Sequence, residues 1–189
     1  MIVATKLMSV EDFLSYDDGT DDIYELVNGE LVLMPPESFQ NQQIEISLLV
    51  YFSRLGISPQ LLRNQIFIAV TGGRATARVP DLTVLSEDLA AQLRETNRSI
   101  VMGDMPPPTL VVEVVSPKQD KRDYRYKRSE YAARQIPEYW IVDPILNKVT
   151  VLELVEGLYE EQVYTGEDSI RSPQFSTLNL TAQQILTGC

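Results

Sequence analysis

Glu113 stands in the middle of Leu110-Val111-Val112-Glu113-Val114-Val115, a run otherwise made only of Leu and Val. Such a β-branched run, bounded by turn residues, predicts a strand buried on both faces. An unpaired carboxylate is costly to bury, so Glu113 must be protonated, paired or bound to a cation. Asp81 poses the same problem. It follows Pro80 and opens another apolar run, Asp81-Leu82-Thr83-Val84-Leu85. Two acids on adjacent central strands would make an oxygen-rich site suited to Mg²⁺ or Mn²⁺. Side chains alternate along a strand, so Val115 points the same way as Glu113.

Lys127 is the third residue out of place. The sequence predicts a helix over Asp123–Arg134, on which Tyr124, Lys127, Arg128, Tyr131 and Gln135 fall in one stripe. Lys127 lies between the two tyrosines, the aromatic residues expected to pack inward. A lysine there either snorkels to the surface or reaches an acidic partner. The helix directly follows the Glu113 strand, so that partner could be the Asp81/Glu113 site.

The elements that must position these groups have clear signals. Asn28-Gly29 sits between alternating runs in Tyr24–Met34 and predicts a type I′ hairpin that Pro35-Pro36 ends. Ile44, Leu48, Tyr51, Phe52 and Leu55 recur at helical spacing over Phe39–Leu55, with Gly56 as the stop. Ser9–Leu14 reads as a short helix with Ser9 and Asp12 in capping-box positions. Strands are expected over Gln65–Val70 and Arg78–Leu85, joined by Thr71-Gly72-Gly73. Glu87–Leu93 reads as a helix and Thr96–Pro108 as a loop. Further strands are expected over Glu138–Val142, over Lys148–Leu154 after the Asp143-Pro144 turn, and over Tyr159–Tyr164. Thr181–Leu186 reads as a terminal helix. The fold class is therefore α/β, a mixed central sheet flanked by helices with an N-terminal hairpin.

Composition removes several chemistries. The 189 residues contain no histidine, which excludes Ser–His triads, His–Cys dyads and histidine zinc sites. Catalysis must rest on carboxylates, Lys, Tyr, hydroxyls or an oxygen-held metal. At 44% hydrophobic and 23% charged residues the chain reads as one globular domain, residues 1–189. The one cysteine, Cys189, supports no internal disulfide, which points to a reducing compartment. Residues Met1–Val10 lack the apolar core of a signal peptide, and no run approaches the roughly 18 apolar residues of a membrane span. The expectation is a cytoplasmic protein. A net charge of −11 argues against a constitutive nucleic-acid binder.

Pro80-Asp81 followed by Glu113-Val114-Val115 resembles the PD-(D/E)XK motif of restriction-endonuclease-like proteins. More narrowly, five stretches are similar to the Uma-two family of bacterial restriction endonucleases: Tyr24-Glu25-Leu26 with Gly29-Glu30; Pro80-Asp81-Leu82; Val112–Pro117; Lys127 with Tyr131; and Pro137-Glu138-Tyr139-Trp140-Ile141-Val142-Asp143-Pro144. The resemblance spans about residues 8 to 155, and Pro137–Pro144 is its most specific piece. It implies a restriction-endonuclease-like fold and metal-assisted hydrolysis of DNA phosphodiesters. Asp81, Glu113 and the Val114 carbonyl would hold Mg²⁺ or Mn²⁺, with Lys127 as the catalytic amine and Glu25 and Tyr131 as auxiliaries. Nucleases of this fold often act as dimers, so a homodimer is an option. Two departures stand out. Val115 occupies the position where the general motif has lysine, so Lys127 would have to reach in from the helix. Asn41 lies near where relatives often show histidine.

Plainer roles are open for each residue. Glu113 could pair with a core Arg or Lys, Asp81 could be a turn acid, and Lys127 a solvated helix residue. Glu25 and Glu30 flank the hairpin turn and are expected to be exposed, while Tyr139 and Trp140 are expected to pack in the core. Lys118, Lys121, Arg122, Arg125, Lys127, Arg128 and Arg134, seven of the chain's sixteen basic residues, could guide a DNA backbone toward the site. Alternatively they form a solvated face with pairs such as Asp123–Lys127. The leading reading is a Mg²⁺-dependent DNA endonuclease; the other is a nuclease-fold binding or assembly module without activity. A small-molecule hydrolase using two carboxylates is disfavoured because no glycine-rich or cofactor motif accompanies them.

Overall fold

A computed structural model describes residues 7–70, 76–117 and 122–188, with Arg122 described in its backbone alone. The N-terminal helix α1 (Val10–Leu14) begins at Ser9 with a complete capping box: Ser9 and Asp12 each accept the other's backbone N–H. Strands β1 (Tyr24–Val27) and β2 (Glu30–Leu33) form the expected hairpin in the register Val27↔Glu30. Asn28 and Gly29 both take positive φ, 53° and 84°, as a type I′ turn requires. Helix α2 (Phe39–Arg54) buries Ile44, Leu48 and Phe52 at the spacing read from the sequence.

The expected strand Arg78–Leu85 is in fact two strands in different sheets. A short 3-10 turn at Pro59–Leu61 leads to β3 (Leu62–Arg63), and β4 (Phe67–Val70) follows. Strand β5 (Thr76–Arg78) pairs with β4 and β1, whereas β6 (Leu82–Val84) pairs with β3. Pro80 lacks the N–H that a continuous ladder needs, so the chain leaves one sheet and enters the other across Val79-Pro80-Asp81. The turn predicted at Thr71-Gly72-Gly73 lies outside the described residues. Helix α3 (Glu87–Thr96) is followed by β7 (Ile100–Val101), a short strand within the stretch expected to be a loop, paired parallel to β4.

Strand β8 (Leu110–Val114) is central and wholly buried. It runs antiparallel to β6 and parallel to β9 (Glu138–Asp143). Between them the helix expected over Asp123–Arg134 is a composite: a π-helix at Arg122–Lys127 continues into α4 (Arg128–Ala133). Strands β10 (Lys148–Val155) and β11 (Leu158–Thr165) form a long hairpin beside β9, and α5 (Ala182–Thr187) ends the described chain.

The strands form two mixed sheets, β2-β1-β5-β4-β7 and β11-β10-β9-β8-β6-β3. One face of the six-stranded sheet, through Leu82, Leu110, Val112 and Val114, packs on α2 and α5. Its other face, through Val111, Val115, Tyr139 and Ile141, packs on α3, α4 and β4. The far side of the five-stranded sheet is closed by Phe13 of α1 against Leu26, Ala69 and Ala77. No helix among the described residues is long and apolar enough to cross a membrane.

Candidate functional site

Glu113 lies on the face of β8 that it shares with Val111 and Val115, and it is 3% exposed. Its two oxygens are both engaged. Lys127 Nζ donates to Oε2 at 2.6 Å, and the Tyr131 hydroxyl donates to Oε1 at 2.6 Å. Burial pushes the Glu113 carboxyl up to about 7, against the pull of the Lys127 charge. Burial and the charge of Glu113 keep the Tyr131 hydroxyl protonated far above the usual phenol range, so it remains a donor.

Asp81 is carried to the same place by strand pairing. Leu82 faces Val112 across β6 and β8, and one further step in that antiparallel register sets Asp81 opposite Glu113. Asp81 Oδ2 accepts the Val114 N–H at 2.5 Å. The carboxylate is recessed at the floor of a cleft of about 440 Å³, where it keeps some accessible surface but loses bulk water. That desolvation, and then the charge of Glu113, push it well above the ordinary carboxylate range. Asn41 Nδ2 approaches the Val114 carbonyl at 3.5 Å and donates to Ser116 Oγ at 2.9 Å and Glu37 Oε2 at 3.0 Å. Asn41 thus links α2 to the end of β8.

Lys127 points inward and is 2% exposed. Besides Glu113, its ammonium lies 3.2 Å from Asp123 Oδ1 and 3.8 Å from Glu25 Oε1. The pair Asp123–Lys127 is therefore buried, not a solvated helix pair. The π turn explains why. Its wider winding puts Asp123 and Lys127 in line with Tyr131 on the inward face, while Gln135, read as part of the stripe, is exposed.

Glu25 departs furthest from its sequence reading. Expected to be exposed, it is 0% exposed, while Glu30 remains on the surface. Leu26 faces outward onto α1, so Glu25 must face the space between the sheets. There it accepts from Arg78 at 2.9 Å and from the Val79 N–H at 3.2 Å. Arg78, itself buried, makes a bidentate pair with Glu130 of α4 at 2.7 Å for both contacts. Among the described residues, Asp81 and Glu113 thus share their surroundings with four further carboxylates, Glu25, Glu37, Asp123 and Glu130, against two cations, Arg78 and Lys127.

This charge deficit tests whether the residues fit a divalent ion. The donors are all oxygen, two carboxylates are held proton-hungry by burial, and added positive charge would relieve both. The residues fit a hard cation, which Asp81, Glu113 and the Val114 carbonyl could hold. Three acidic side chains do not converge as a complete cage among the described residues. An ion here would retain waters, as Mg²⁺ commonly does.

Of the four members of the expected basic segment whose side chains are described, three are engaged within the fold. Lys127 and Arg134 are buried, the latter donating to the Met102 and Met105 carbonyls, and Arg128 pairs with Glu161. Arg125 is exposed. Lys118, Lys121 and the Arg122 side chain lie outside the described residues. Lys127 and Arg134 are turned inward onto acids and carbonyls of their own domain, whereas Arg125 faces solvent and Arg128 pairs at the surface.

A mixed sheet that brings a strand-borne Glu and a strand-end Asp together, with a lysine from the next helix, has the architecture of a nuclease fold. A crystal structure described as a putative nuclease belonging to DUF820, from Anabaena variabilis ATCC 29413, matches with a TM-score of 0.76. The two share 17% identity over 96% of this chain and 98% of that one, a likeness of fold. No curated protein matches the sequence. The chain belongs to the Uma2 family, described as "Putative restriction endonuclease", whose sequence profile matches residues 10–183.

Proposed function

We propose that the chain, acting as one domain over residues 1–189, is a Mg²⁺- or Mn²⁺-dependent endonuclease that hydrolyses DNA phosphodiesters. The observation that carries this reading is the convergence of Asp81 and Glu113 from neighbouring strands, with the Lys127 ammonium 2.6 Å from Glu113. Asp81, Glu113 and the Val114 carbonyl would hold the ion. When bound, a divalent ion lowers the pKa of a coordinated water and offsets charge on the scissile phosphate. Tyr131 fixes one oxygen of Glu113, leaving the carboxylate a single orientation. Lys127 sets the charge of the site from behind Glu113 and stabilises negative charge developing there. Glu25, anchored by Arg78, keeps that ammonium within the fold.

Plasmid nicking in Mg²⁺ or Mn²⁺ tests the reading. Asp81→Ala and Lys127→Ala should each lower the rate at least about a hundredfold while far-UV circular dichroism stays native. Equal nicking by wild type and both variants would end the catalytic reading.

One observation favours a second reading, a nuclease-fold binding module without activity. The cleft at Asp81 is also lined by Asp21, Asp22, Glu37 and Glu45, with no Lys or Arg lining it among the described residues. A phosphate backbone gains nothing from such walls unless cations intervene. Calorimetric binding of Mn²⁺ without cleavage of any DNA form would support the module.

A further inference from the structure

Lys127 is shared among more acids than one ammonium neutralises. Glu113 is its shortest partner at 2.6 Å, but Asp123 at 3.2 Å and Glu25 at 3.8 Å also lie against it. None of the four is accessible to bulk water. Asp123 Oδ1 has no hydrogen-bond partner among the described residues, so its tie to Lys127 is a bare charge contact. Glu25 cannot collapse onto the lysine, because Arg78 and the Val79 N–H hold both its oxygens. A buried carboxylate oxygen without a hydrogen-bond partner is expensive as a purely structural feature.

We infer that Asp123 and Glu25 form a second berth for the Lys127 ammonium, and that Asp123 is the positioning residue that frees Glu113 to act as a metal ligand. The inference rests on the metal site proposed above. Lys127 is the counter-ion of Glu113 in the arrangement described. When Glu113 turns its charge to a divalent ion, Lys127 finds that cation repelling it and has no route to solvent. Rotation about its terminal torsions carries Nζ toward Asp123, one π turn earlier on the same element, and Glu25. No backbone shift is needed. The ammonium stays in the site and stays paired, and the acid it leaves is available. The arrangement also explains an acid at position 123 beside an already acid-rich core: it is the partner that Lys127 takes when Glu113 is occupied.

The test is a double-mutant cycle on Mn²⁺ affinity, measured by calorimetry on the full chain. Asp123→Asn should weaken binding about tenfold or more, because the ammonium now competes for Glu113 without an alternative partner. In the Lys127→Met background the same change should have an effect of less than about threefold, and Asp123→Glu should restore wild-type affinity to within about threefold. Equal weakening by Asp123→Asn in both backgrounds would overturn the berth while leaving the metal site standing. Wild-type binding no tighter than that of Asp81→Ala would remove both. If Lys127→Met does not fold, nuclear Overhauser contacts between the Lys127 ε-methylene and the Asp123 β-protons replace it. They should strengthen when Mg²⁺ is added to wild type, and unchanged contacts would overturn the inference.

Discussion

At the scale of single residues, the site is a lattice of charges in which each member holds another. Arg78 is the clearest case. Its guanidinium joins Glu25 on the hairpin to Glu130 on α4, both at hydrogen-bonding distance. Replacing a buried ion pair whole can be neutral, but removing one partner strands the other charge. Arg78→Met therefore should destabilise the protein by about 3–5 kcal/mol, read from denaturant midpoints, and should loosen Lys127 through Glu25. A loss below about 1 kcal/mol would mean that water or a neighbour readily compensates Glu25. Tyr131 is a milder lever, because its hydroxyl serves Glu113 without carrying charge.

Elements meet at positions where one side chain serves several backbones. Glu138 opens β9 and is fully buried. It accepts from Trp140 Nε1 at 2.5 Å, from Ser172 Oγ at 2.9 Å and from the Gln174 N–H at 2.9 Å. That one carboxylate clips the irregular segment after β11 to the central sheet. Glu138→Ala should cost about 1–3 kcal/mol for the donors left unsatisfied. The loss should be local: amide exchange should accelerate across residues 166–180 while the amides of β8 and β9 keep their protection. Uniform acceleration through the whole sheet would refute a clip and imply a general core defect. The π turn at Arg122–Lys127 is the other junction, since it faces Asp123 and Lys127 together into the site.

For the whole molecule, the direction of several carboxyl shifts is the same. Burial raises Asp81, Glu113 and Glu138, in the case of Glu113 from 4.5 to about 7. Asp18 is shifted the other way, but on the open surface. An acid whose folded value is raised binds its proton more tightly in the folded chain than in the unfolded one. Between about 4.5 and 7 the folded state therefore holds the extra protons, and stability declines as pH rises through that window. The net charge of −11 adds repulsion in the same direction. Thermal melts should show Tm higher at pH 5 than at pH 7.5, and Mg²⁺ should reduce the decline at the upper end. A Tm that climbs from pH 5 to 7.5 would contradict this.

The amino-acid order alone was enough to single out Glu113, because one carboxylate inside a Leu/Val run has few chemical alternatives. It was enough for the Asn28-Gly29 hairpin and the capped first helix, whose determinants lie within a few residues of each other. It also set Lys127 between Tyr124 and Tyr131 on one helical stripe, with the surface and an acidic partner both open to its amine. Arg78, Asp123 and Glu130 joined the site only through tertiary packing, which also buried Glu25, an auxiliary beforehand by resemblance alone. Two-residue alternation says which side chains share a strand face, not whether another sheet will cover that face. Arg78 and the helix that carries Lys127 and Glu130 close over Glu25, Pro80 diverts the chain so that Asp81 reaches β8, and packing of the Arg122–Lys127 turn against β8 buries Asp123 beside Lys127. Each depends on contacts between segments tens of residues apart, where local spacing carries no information about burial.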